Sequence, residues 1–170
     1  MEPSDEAARN DKTGGGWSAD HAGGGNKCDA EISDISFWDT SNVTNTYRMF
    51  YGAVNFNQDI SNWDMSNVVD MVRMFQDAES FNQDISNWNV SSLRDMYATF
   101  SGAQAFNQPL GSWDVSNVIG MDNIFNGAST FNQDLTNWCV TNFTTEPLDF
   151  ATNSALTEAN KPIWGTCPSD

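Results

Sequence analysis

Phe56–Ser80 reads FNQDISNWDMSNVVDMVRMFQDAES, and the stretch of equal length that follows, Phe81–Ala105, reads FNQDISNWNVSSLRDMYATFSGAQA. The opening word returns as FNQP at Phe106 and FNQD at Phe131. Trp63, Trp88, Trp113 and Trp138 each stand at the same place within their unit, and Phe50, Phe75, Phe100, Phe125 and Phe150 form a third column at the same spacing. A fixed period of roughly 20–50 residues marks a repeat array. One such unit cannot bury its own apolar face, so neighbours must stack.

Inside one unit, Ile60, Trp63 and Met65 are separated by polar Ser61, Asn62 and Asp64. This pattern predicts a short strand over 60–65. Ser66 and Asn67 are helix N-cap types, and Val68, Met71, Phe75 and Ala78 follow at three- and four-residue spacing, which predicts a short helix. Gly52, Gly102 and Gly127, with Asp77 in the second unit, stand where that helix would end. Asp70, Arg73, Arg94 and Asp95 are expected on solvent. The echo of L-x-x-L-x-L in Ile60-x-x-Trp63-x-Met65 makes the expected fold an α/β repeat solenoid, leucine-rich-repeat-like, with one short parallel strand and one short helix per unit.

Outward from the repeats, residues 1–27 are glycine-rich (GGGWSADHAGGG) and predict a flexible N-terminal segment. Residues 28–138 are the expected solenoid. Residues 139–170 drift from the repeat and predict a C-terminal cap, since a terminal repeat must close an open core end. Cys139 and Cys167 flank that cap and are expected to be disulfide-bonded outside a reducing cytosol. Cys28 is the odd third cysteine.

Composition narrows the function classes. The 170 residues carry 23 acidic and 7 basic side chains, a net charge of −16. Phosphate neutralisation needs Lys and Arg clusters, so nucleic acid is excluded as a partner, and docking on anionic lipid is disfavoured. No apolar run reaches the ~18 residues of a membrane helix, and the start, MEPSDEAARNDKTGGG, contains no signal-peptide h-region. His21, the only histidine, lies in the glycine-rich start. No Cys–His pair, Ser–His–Asp set, phosphate loop or zinc spacing occurs, so no enzyme and no cofactor are expected. Asn42, Asn89 and Asn142 stand in N-x-S/T sequons.

The repeated columns divide into ladders and a face. Phe56, Phe81, Phe106, Phe131 and the four tryptophans are expected in the core; stacking of exposed rings on sugars is the competing reading for the tryptophans. Asn57, Asn82, Asn107 and Asn132 are expected to stack as a structural ladder that satisfies turn backbone, with Gln58, Gln83, Gln108 and Gln133 beside it. Asp59, Asp84 and Asp134 form one carboxylate row, and Asp39, Asp64 and Asp114 another. Like charges stacked at ~4.8 Å repel unless solvated or bridged by a cation. No D-x-D-x-D-G loop is present, and a solvated acidic surface is the simpler reading. Asn62, Asp64, Asn87, Asn89, Ser112, Asp114 and Asn137 are the candidate binding face.

The word FNQDISNWDMSNVVDMVRMF and the ending NWCVTNFTTEPLDFATNSALTEANKPIWGTC resemble the repeats and terminal segment of BspA-like bacterial surface proteins, grouped as Mycoplasma proteins of unknown function. The resemblance covers about residues 31–167 and carries no catalytic residue. It implies surface display, adhesion and protein–protein interaction. The resulting expectation is a non-catalytic, extracellular or cell-surface interaction module that offers an acidic polar face to a protein or glycan. A structural spacer is the alternative, and a calcium- or ice-binding array a more remote one.

Overall fold

The structure, a computed structural model, describes residues 34–168. The expected flexible segment 1–27, His21 and Cys28 lie outside the described residues.

The α/β solenoid does not form. The described residues contain one helix, the single 3-10 turn Glu158–Asn160. Neither the strand over 60–65 nor the helix over 68–78 is present. Pairing between extended segments is limited to isolated parallel bridges, Asn45 with Asp70, Asp70 with Asp95, and Asp95 with Gly120. Among the described residues there is no sheet, so the strand-plus-helix architecture of a leucine-rich repeat is absent as well.

In its place each unit is a succession of β-turns. In the second unit the amides of Trp63, Val68, Met74, Gln76, Ala78 and Phe81 donate to the carbonyls of Ile60, Met65, Met71, Arg73, Phe75 and Ala78. A turn closed between residues i and i+3 repeats the three-residue spacing of a helical face, which is why the sequence reads as a helix here. Two facts prevent one. The backbone is left-handed at Arg73 (φ 57°) and Asp77 (φ 58°), a conformation that L-residues do not continue into a helix. In addition, alternate amides leave the unit: Met71, Arg73, Phe75 and Asp77 donate to Asp95, Tyr97, Thr99 and Ser101 of the next one. Successive N–H groups thus close local turns and tie neighbours together by turns. The predicted helix-ending glycines are left-handed, with φ 67° at Gly52, 70° at Gly102 and 74° at Gly127, but they end turns.

The sequence period persists as contacts between residues about one unit apart. Side chains at Ile60, Trp63, Met65, Val68, Met71, Met74, Phe75, Ala78 and Phe81 are buried, as are their counterparts at Ile85, Trp88, Val90, Leu93, Met96, Phe100, Ala103 and Phe106. Phe81 stacks on Phe106 at 5.7 Å and Phe106 on Phe131 at 5.8 Å between ring centroids. The two Phe columns also interlock where one unit passes into the next, Phe75 lying 4.0 Å from Phe81. Each Trp ring staples its unit to the preceding one: the indole N–H of Trp63, Trp88, Trp113 and Trp138 donates to the carbonyl of Ile35, Ile60, Ile85 and Leu110.

The register slips once. Ala98, Phe100 and Gly102 donate to the carbonyls of Asp122, Ile124 and Asn126, each one position short of the donor's own counterpart in the next unit. Asn123, Phe125 and Gly127 donate instead to Leu148, Phe150 and Thr152, which are the counterparts themselves. The left-handed pair moves accordingly to Asp149 and Asn153. Phe150 stands edge-on to Phe125 at 87°, where Phe100 and Phe125 are stacked at 7°. Register returns at Leu156, which is buried at the position that Phe131 holds one unit earlier. The disulfide between Cys139 and Cys167 expected from the sequence is present.

Candidate functional site

The turns that build each unit also fix its polar surface. Where Asp or Asn opens a turn and Ser or Thr follows two residues later, the side-chain oxygen accepts the backbone N–H of that second residue, an Asx turn. Asp59 does this with Ser61, Asp84 with Ser86 and Asp134 with Thr136. Asp39 pairs in the same way with Ser41, Asp64 with Ser66, Asn89 with Ser91 and Asp114 with Ser116. These hydrogen bonds favour the ionised carboxylate. The hydroxyl and amide of Ser41 and of Ser66 hold Asp39 and Asp64 below the ordinary carboxylate range. The amide and hydroxyl of Ser61 and Ser86 do so for Asp59 and Asp84, and the hydroxyl and amide of Thr136 for Asp134.

All seven residues of the candidate face, Asn62, Asp64, Asn87, Asn89, Ser112, Asp114 and Asn137, are exposed. The structure arranges them in two rows, 62–87–112–137 and 64–89–114, beside the turns at 60–63 and 65–68 and their equivalents. Asp64, Asn89 and Asp114 therefore have a double role, pinning a turn and facing solvent. The Ser112 hydroxyl is committed to the Ser86 carbonyl. A third polar row adjoins them: Asn67, Asn117 and Asn142 donate side-chain N–H to the carbonyls of Ser41, Ser91 and Ser116 in the preceding unit.

The Asn column runs along a different edge. Each Asn side-chain oxygen accepts the backbone N–H one unit on: Asn57 from Asn82, Asn82 from Asn107, Asn107 from Asn132, and Asn132 from Thr157. The Gln83, Gln108 and Gln133 amides donate back to the Asn of the preceding unit. Gln58 accepts the Ile35 amide with its Oε1. The four tryptophans of the repeated column and both Phe columns are buried, so sugar stacking on exposed Trp rings has no surface at Trp63, Trp88, Trp113 or Trp138.

Two features have no signal in the sequence. Asp70 and Asp95, expected on solvent, are half-buried or nearly so: Asp70 forms a row with Asn45, whose amide donates to it, and Asp95 continues that row by its bridge to Asp70. Burial, with the charges of Asp70 and Asp122 adding to it, pushes the Asp95 carboxyl above its ordinary range. Asp95 leans over Gly120, where an added Cβ would lie 2.6 Å from its Oδ1. The second feature is an edge of cations and phenols. The Arg48 guanidinium lies 5.3 Å from the Tyr47 ring centroid and 5.0 Å from that of Tyr51, and Arg73 lies 5.4 Å from that of Tyr97. Nothing beside Asp70 or Asp95 in the chain announces burial, and Arg at a left-handed position gives no notice of itself.

Among the described residues, no three His, Cys, Asp or Glu side chains are grouped so as to hold a metal ion, and no helix is long and apolar enough to cross a membrane. Comparison with known proteins yields one finding: the model of a family described as Mycoplasma protein of unknown function, DUF285, matches residues 25–138. No curated protein and no solved structure matches the chain. The Asn and Trp columns, and the Phe columns up to Phe131, fall within the matched span, and the chain belongs to the DUF285 family of Mycoplasma proteins of unknown function.

Proposed function

We propose that the chain is a non-catalytic interaction module of BspA-like surface-protein type, which presents its repeated acidic and amide face to a protein or glycan outside the cell. The observation that supports this reading is the exposure of all seven face residues in two rows, three of them held in place by Asx turns. Positions fixed by backbone bonds need little further ordering on binding, which lowers the entropic cost of association. The Cys139–Cys167 disulfide supports an oxidising location.

A panel of immobilised glycans and extracellular-matrix proteins, probed with calcium and with EDTA, tests the reading. Asp64→Asn and Asp114→Asn keep the turn acceptor and remove the charge; Asn62→Ala and Asn87→Ala trim the neighbouring row. Saturable binding that weakens at least tenfold in the combined variant supports the face. Binding untouched by all four substitutions refutes it. Loss with EDTA alone would move the site to the Asp rows.

A spacer is the second reading, favoured by the identical bonding of successive units through the Asn, Phe and Trp columns. In-register deletion of Phe81–Ala105 separates the two: a spacer retains function with one unit fewer, whereas a shaped face loses affinity.

A further inference from the structure

We propose that the Cys139–Cys167 disulfide is a redox latch, whose two-electron reduction undocks residues 157–167 while the stacked units before them stay folded. The latched stretch imitates the next unit with few of its apolar contacts. One inter-unit bond is reproduced, the Thr157 amide donating to Asn132 Oδ1, and two backbone bonds particular to this stretch hold it as well: Leu135 donates to the Asn160 carbonyl and Val140 to the Thr166 carbonyl. Asn160 Nδ2 takes the place that Gln133 and its equivalents hold one unit earlier. The apolar side is thin. Ile163 is 72 % exposed, and Gly165, Thr166 and Cys167 are exposed as well. Trp164 rests edge-on against Phe150, 4.9 Å away, and is only half-buried. An internal unit buries an unbroken set such as Ile85, Trp88, Val90, Leu93, Met96 and Phe100. With so little burial, the covalent link carries much of the docking: it joins cysteines 28 positions apart in sequence.

The chemistry is thiol–disulfide exchange with an external dithiol. Its thiolate attacks one sulfur of the pair and expels the other cysteine as a thiolate, its second thiolate then attacks the dithiol's own sulfur in the mixed disulfide and expels the remaining cysteine, and the products are two cysteine thiols and the oxidised dithiol. Cys167 is exposed and Cys139 half-buried, so the bond is reachable. Undocking frees the Leu135 and Val140 amides and the Asn132 side chain, and Asn132 is the rung by which the Asn ladder passes from unit to unit. The edge at Asn132, Leu135 and Val140 is thus closed when the bond is oxidised and unpaired when it is reduced.

Amide hydrogen exchange on the whole chain tests this, comparing the oxidised protein, the protein in dithiothreitol, and the Cys139→Ser/Cys167→Ser variant, which is insensitive to reductant at this bond. Loop closure of this length predicts exchange at Leu135 and Val140 faster by about several hundred-fold in both altered forms, with the Phe75 and Phe100 amides unchanged. Retained protection at Leu135 and Val140 would overturn the latch. So would loss of protection at Phe75 and Phe100, or a double variant that does not fold, because the disulfide would then hold the fold and not one segment.

Discussion

Replacing Trp88 by alanine probes the stacking of units most directly. The ring is 4 % exposed, lies 6.4 Å from Phe75 and 6.3 Å from Trp113 between centroids, and donates its indole N–H to the Ile60 carbonyl at 3.1 Å. Truncation of a buried Trp to Ala costs about 3–5 kcal/mol. The Ile60 carbonyl keeps the Trp63 amide as a donor, so the lost indole hydrogen bond adds about 0.5–1.5 kcal/mol. The total is a large share of the ~5–15 kcal/mol that a domain of ordinary stability has to lose. Trp88→Phe helps to separate the two contributions, since it keeps much of the ring and removes the donor; a loss of about 0.5–1.5 kcal/mol is expected from the hydrogen bond. Urea unfolding followed by near-UV circular dichroism measures both variants. A loss below about 1 kcal/mol for Trp88→Ala would refute the reasoning, as it would mean that the ring neither fills the core nor joins the units. Equal losses for Ala and Phe would leave the packing argument without support and place the whole effect in the hydrogen bond.

Gly52→Ala and Gly102→Ala both place a side chain at positive φ, at a cost of about 1–2 kcal/mol, but only at Gly102 does the new methyl meet the Asp77 carboxylate; thermal melts should rank Gly102→Ala as the more damaging, and Asp77→Gly should relieve part of its loss. Acid should weaken the fold through Asp34, Asp39, Asp59, Asp64, Asp84 and Asp134, all held below the ordinary range: their contribution is complete above about pH 4 and disappears as pH falls through their lowered folded values, so the urea midpoint should drop as the solution is acidified below about pH 4. Asp77 and Asp95, raised chiefly by burial, act with the opposite sign and favour the fold below the ordinary range; Asp95→Asn should stabilise the protein at pH 7 by roughly 0.5 kcal/mol and make no difference once acid has protonated the carboxyl. Asn107→Ala removes one rung at an exposed edge, where water can replace the lost acceptor, and should cost only about 0.5–1.5 kcal/mol in the same urea assay.

The columns are more legible in the sequence than the local conformation. Recurrence of Phe56, Trp63 and Phe75 at one fixed period marks side chains that meet their copies in the next unit, and identical buried side chains have few other ways to be satisfied at once. Asn82 and Asn107 follow the same logic with backbone donors. Val68, Met71, Phe75 and Ala78, by contrast, are spaced equally well for a helix and for consecutive β-turns. The deciding angles belong to Arg73 and Ala98, residue types that ordinarily give no notice of a left-handed backbone. Asp59-x-Ser61 and Asp64-x-Ser66 do carry notice, since Asx turns have that spacing, although their carboxylates taken alone read as a charged surface. Nothing in the chain shows that Gly120 leaves room for Asp95 one unit away.

The slip at Leu148–Asn153 separates two regimes of growth. Before it, each unit offers its successor the same Phe rings and Asn-ladder acceptors that its predecessor offered to it, so a whole unit added or lost finds those columns in place. After it, Phe150 is turned edge-on and the following residues are bonded to Asn132, Leu135 and Val140 in a pattern of their own. Duplication within the gene could therefore lengthen the stack on the side of the slip where the columns repeat, and a unit copied across it would meet a different register. Length is a variable of the array, and the slip is its punctuation mark.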